Sequence, residues 1–75
     1  MIVETESGTT YTVDHEAGTV LRHPSEGEMR RDDEPIRFVT MAEPVVGQVW
    51  RMVLRLRGDG AYTYRTTSPV TKVVR

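Results

Sequence analysis

The segment Trp50-Arg51-Met52-Val53-Leu54-Arg55-Leu56-Arg57 constrains this chain more than any other. A β-strand sends successive side chains to opposite faces, so Trp50, Met52, Leu54 and Leu56 share one face and Arg51, Val53, Arg55 and Arg57 the other. Such a strand has one face in a core and one in water. No stretch has apolar residues recurring at i, i+3, i+4 and i+7 over three turns, so any helix has to be short, and the acidic stretch before Pro35 is its best place.

Further strands surround this one. Met1 to Thr5 and Thr9 to Val13 are rich in β-branched and aromatic residues, and Ser7-Gly8 turns the chain between them, with Val3, Tyr11 and Val13 expected to face inward. Asp14 to Gly18 makes a second turn into a strand over 19–23, where Val20 and Leu21 leave the inward face open. Pro35 can open a strand over Ile36 to Met41, with Ile36 and Phe38 inward. After Gly58-Asp59-Gly60 the chain returns over 61–66, and 69–74 supplies a last short strand.

Six or seven short strands at close intervals, in a chain of 75 residues, are expected to form an all-β meander. One small domain over residues 1–75, an open barrel of the SH3-like or OB-like kind, is the expected architecture; a two-layer sandwich is the alternative. Residues 24–34 have almost nothing apolar to bury and form the expected polar loop, with Met29 its one hydrophobic anchor beside Arg30 and Arg31.

Cysteine and asparagine are both absent, which excludes disulfides, thiolate metal sites and N-glycosylation sequons. With no basic leader and no long apolar run, the sequence reads as cytoplasmic, with no membrane partner. The formal charge of −1 hides a division: residues 1–45 hold ten acids and four bases, residues 46–75 one acid and six bases.

The hairpin around Asp59-Gly60 decides what lies beside the arginines. A two-residue loop pairs Arg57 with Tyr62 and Arg55 with Tyr64, leaving an aromatic and cationic stripe on the solvent face that could stack bases. A three-residue loop with a glycine bulge instead pairs Leu56 with Tyr62 and Leu54 with Tyr64, and both rings turn to the core. The bulged loop is favoured, because a small core drawing on five aromatic residues cannot readily leave two of them wet. Arg51, Arg55, Arg57 and Arg65 are then a solvated outer face.

Little here suggests catalysis. Ser7, Ser25 and Ser68 sit in no nucleophile elbow, no glycine-rich phosphate cradle opens a helix, and Asp32, Asp33 and Glu34 read as solvated loop acids. His15 lies between Asp14 and Glu16, with His23 eight residues on, but this is no recognised metal spacing, so exposed turn histidines are expected. Arg57-Gly58-Asp59 spells an integrin-binding tripeptide and is assigned to turn geometry. No enzyme activity, cofactor or metal is expected.

The opening Ile2-Val3-Glu4-Thr5-Glu6-Ser7-Gly8-Thr9-Thr10-Tyr11, the Val46-Gly47 before the long strand and the ending Tyr64-Arg65-Thr66-Thr67-Ser68-Pro69-Val70 resemble small β-domain proteins of actinobacteria and their phages. The resemblance implies an accessory protein, plausibly phage-encoded, that binds a host or phage protein, and supplies no catalytic residues. The expectation is therefore a non-enzymatic protein-interaction module. Its candidate contacts are Met29, Arg30, Arg31, Arg51, Arg55, Arg57, Tyr62, Tyr64 and Arg65, with a second copy of the chain as another partner. The alternative is a small nucleic-acid-binding barrel using an Arg/Tyr face, which the isoelectric point of about 6.1 disfavours.

Overall fold

A computed structural model describes residues 1–23, 35–55 and 62–75. Its strands are β1 (Ile2–Thr5), β2 (Thr10–Asp14), β3 (Thr19–His23), β4 (Ile36–Met41), β5 (Arg51–Arg55), β6 (Thr63–Thr66) and β7 (Val70–Val74). They form one antiparallel sheet in the order β6-β5-β4-β3-β2-β1-β7. The described residues contain no helix, and so none that is long and apolar enough to cross a membrane.

Glycine makes the first two turns. Gly8 donates its N–H to the Thr5 carbonyl at 2.9 Å with φ 89°, and Thr5 donates to the Thr9 carbonyl at 3.0 Å, a three-residue loop closed by a left-handed glycine. At the second turn the Asp14 carboxylate accepts from Ala17 N–H at 3.0 Å, while Gly18, at φ 70°, donates to the Asp14 carbonyl.

The meander is one sheet, so the sandwich alternative does not apply, and it curls into a barrel-like shell. β6 runs through Thr67-Ser68-Pro69 into β7, which pairs with β1, so the two ends of the chain lie side by side with Ile2 opposite Val74. An isolated parallel bridge links Val46 to Val70; Gly47 N–H donates to the Val70 carbonyl and Val70 N–H to the Gln48 carbonyl, each at 2.8 Å. This contact draws the shell together without a full ladder, so the sheet stays open.

Within the shell lie Val3, Tyr11, Val13, Val20, Trp50, Met52, Leu54 and Val70, with Ile36, Phe38, Met41 and Val73 partly buried against them. Tyr11 meets Trp50 edge-to-face at 5.4 Å between ring centroids, joining the N-terminal hairpin to β5. The inward alternation from Trp50 to Leu54 is therefore as expected, and Val20 rather than Leu21 takes the core side of β3. Val39 is the extra residue of a bulge between the Phe38–Leu54 and Thr40–Val53 pairs and is 52% exposed.

A hydroxyl cluster fastens the corner between β6 and β7 to the first hairpin. Ser68 Oγ donates to Ser7 Oγ at 3.2 Å and accepts from Ser7 N–H at 3.1 Å, while the buried Thr5 hydroxyl donates to the Thr9 carbonyl. No buried side-chain polar atom among the described residues lacks a partner.

Gly47 has φ 92° and open space where a Cβ would stand. Gly47→Ala should therefore cost about 1–2 kcal/mol through backbone strain alone, read as a lower urea midpoint with an unchanged m value. The same substitution at a relaxed loop position would cost nothing.

Candidate functional site

The register of β5 against β6 is set at the end away from the hairpin tip. Thr67 N–H donates to the Trp50 carbonyl at 2.9 Å, and Trp50 N–H donates to the Thr67 hydroxyl at 3.2 Å, with both residues buried. Thr67 in turn donates to the Ser68 carbonyl at 2.7 Å, and the Trp50 indole N–H to the Ala42 carbonyl at 2.8 Å. With Thr67 inward, alternation along β6 puts Arg65 and Thr63 on the core side and Thr66 and Tyr64 on the outer side.

The ladder follows: Arg51 opposite Thr66, Met52 opposite Arg65, Val53 opposite Tyr64, Leu54 opposite Thr63. Neither pairing expected from the hairpin tip is present. The favoured bulged register, which put Tyr64 on Leu54 and both rings toward the core, is wrong by one residue and so by one face. The two-residue register has the right face but the wrong partner, since Tyr64 stands beside Val53 and not Arg55. Tyr64 is 81% exposed and Tyr62 55%.

Arg65 also departs from expectation. It lies half-buried opposite Met52, on the core side of an edge strand, and does not join the outer arginines. A charge pointing inward on an edge strand discourages pairing with another chain.

On the outer side, β4, β5 and β6 present a surface with no acidic residue among its described positions. Arg37 is the direct neighbour of Arg55, Thr40 of Val53, Val53 of Tyr64, and Arg51 of Thr66. No hydrogen bond or ion pair among the described residues engages the guanidinium of Arg37, Arg51 or Arg55. The exposed ion pair in the described structure lies elsewhere, between Arg75 and Glu43.

Two shallow depressions mark this region. One, of about 370 Å³, is mostly apolar and is lined by Val53, Tyr64, Thr40, Arg51 and Thr66 among others. The second, of about 340 Å³ and more polar, gathers Arg37, Arg55 and Tyr62 next to Ala17 and Gly18 of the second turn.

The structure thus brings Arg51, Arg55, Tyr62 and Tyr64 from the sequence candidates onto one face, turns Arg65 to the core side of β6 while leaving it at the border of the first depression, and adds Arg37, Thr40 and Val53. Arg37 was legible as outward from the alternation of Ile36 and Phe38, but its place beside Arg55 depends on strand order. Met29, Arg30, Arg31 and Arg57 lie outside the described residues, as does the tip Gly58-Asp59-Gly60.

Of the other sequence candidates, Ser25, Asp32, Asp33 and Glu34 lie with the rest of the 24–34 segment outside the described residues, and the remainder have structural partners. His15 meets Phe38 edge-on at 6.1 Å, and His23 Nε2 is 3.1 Å from the Thr12 hydroxyl. Among the described residues, no three His, Asp or Glu side chains form a group that could hold a metal. Ser7 and Ser68 hydrogen-bond to hydroxyls and backbone. No known protein family, curated protein or solved structure matches the chain.

Because Tyr64 is exposed on the outer side of the ladder, Tyr64→Ser should leave stability within about 0.5 kcal/mol. Leu54→Ala should cost about 2–5 kcal/mol. Paired urea melts check both, and a Tyr64 variant as damaging as the Leu54 one would return the ring to the core.

Proposed function

We propose that this chain is a non-enzymatic binding module whose β4-β5-β6 face engages single-stranded nucleic acid. One observation carries the reading: Tyr62 and Tyr64 stand in water on the same face as Arg37, Arg51 and Arg55, with no carboxylate among the described residues paired to those arginines. Surfaces that bind single strands combine stacking rings with a cationic track, because every base has a π-face and every nucleotide a charge. Tyr64 offers such a ring beside the apolar Val53. Arg55 and Arg51, four residues apart on β5, flank it by about 13 Å from end to end. A near-neutral isoelectric point does not oppose this, since the acids cluster in residues 1–45 and the described part of this face has none.

The second reading is a protein-interaction module, a phage accessory protein docking on a host or phage protein. The observation favouring it is that β6 ends the sheet, leaving an edge open to an extended segment. The inward Arg65 on that edge argues the other way.

Fluorescence polarisation with labelled single-stranded and duplex oligonucleotides at low salt separates the two. The single strand should bind more tightly, with a log–log salt slope of about −2 for three contacted phosphates. Tyr64→Ala should weaken it by about 1–3 kcal/mol, the contribution of one stacked base. No binding of any oligonucleotide at low salt would reject the nucleic-acid reading, and retention of one partner from host lysate, lost in Tyr64→Ala, would favour the second.

A further inference from the structure

The geometry points to a phosphate-binding subsite between Arg37 and Arg55, at the Tyr62 end of the β4-β5-β6 face. It rests on the reading of this face as a nucleic-acid platform, and specifies where one phosphate sits. Arg37 and Arg55 are direct cross-strand partners, and like charges in that position repel. Their other registered neighbour on the row is Thr19, opposite Arg37, which carries no charge. Both arginines are exposed, and neither has a counter-ion among the described residues.

The pair borders the polar depression of about 340 Å³ together with Tyr62, Ala17 and Gly18. The Gly18 carbonyl accepts from Phe38 N–H, and the Asp14 carboxylate, next on the row beyond Thr19, accepts from Ala17 N–H; neither is bonded to Arg37 or Arg55. Each guanidinium presents five N–H groups in a planar fork and no lone pair, and the Tyr62 hydroxyl adds another donor. The complement to two forks and a hydroxyl is a multi-oxygen anion. A carboxylate saturates one fork, whereas a phosphate has oxygens enough for both and relieves the repulsion between them.

Arg55 lies two residues from Val53, and Val53 faces Tyr64, so the anion site and the stacking ring are about 7 Å apart along the strand. A base attached to the held phosphate therefore reaches Tyr64. The phosphate is either a diester internal to a strand, which offers one non-bridging oxygen to each fork, or a terminal monoester, which offers three; both present anionic phosphate oxygens to the pair.

Thermal unfolding of the full chain in chloride, inorganic phosphate or a nucleoside 5′-monophosphate, all at one ionic strength, tests the subsite. A concentration-dependent rise in Tm is expected with the phosphates, larger for the nucleotide, and lost in both Arg37→Gln and Arg55→Gln but retained in Lys72→Gln, on β7 away from this face. Without phosphate, Arg37→Gln should melt no lower than the parent chain. Polarisation with an oligonucleotide carrying or lacking a 5′-phosphate then identifies the source: Arg37→Gln weakens both equally for an internal phosphate, and only the phosphorylated one for a terminus. Phosphates no better than chloride, or a shift that survives Arg37→Gln, would overturn the subsite. If the oligonucleotide still binds through Tyr64 in that event, the platform stands and only the subsite fails. Phosphate stabilisation through Arg37 and Arg55 with no oligonucleotide binding would leave the subsite and remove the platform.

Discussion

The pairing of Trp50 with Thr67 governs the rest of the molecule. Two hydrogen bonds join them, backbone to backbone and backbone to hydroxyl, and both residues are buried. Because side chains alternate along a strand, fixing Thr67 inward fixes every residue of β6 back to Thr63. A slip of one residue would bury Tyr64, expose Arg65 and strand the Trp50 N–H without its acceptor, at a cost of about 1–3 kcal/mol for that group alone. The same corner sends the chain into β7, whose start is held by Gly47 and Gln48 and whose length pairs with β1. The outer β4-β5-β6 face and the curling of the shell thus depend on one contact.

The core lives within tight means as a result. Of five aromatic residues, Tyr11 and Trp50 are buried and Phe38 partly so, while Tyr62 and Tyr64 remain outside. Burying a large apolar side chain contributes about 1.5–3 kcal/mol, so a chain this small forgoes appreciable stability by leaving two rings wet. Arg37 beside Arg55 adds a second cost, like charges placed opposite one another. Both costs fall on the same three strands, whereas the remaining described polar groups are well satisfied, as the hydroxyl cluster around Ser7 and Ser68 shows. Concentrated local unfavourability on an otherwise consistent fold is the physical basis for reading that face as a binding surface.

Most of the fold was legible in the residues. The alternation from Trp50 to Leu54, the glycines at 8 and 18 and the β-branched runs around them specify strands and turns through short-range geometry, and the seven strands fall close to where those signals place them. The inward side of β3 was not legible, since Val20 and Leu21 are both apolar and only the pairing of Val20 with Val13 and Ile36 decides between them. The β5-β6 register was misread for a related reason. The Gly58-Asp59-Gly60 tip and the burial of aromatic rings favour one register, while the deciding contact lies at the opposite end of the hairpin, in a threonine whose buried role no local pattern marks. Arg37 became part of the site only once strand order placed β4 beside β5.

Through-space proton contacts in solution, measured by NMR on the full chain, test the register most directly. Backbone and side-chain contacts between Val53 and Tyr64, and between Met52 and Arg65, with the Tyr64 ring broadened by a soluble paramagnetic probe, are the expected result. Contacts from Tyr64 to Leu54, with the ring shielded from the probe, would contradict it and dissolve the Arg/Tyr face with it.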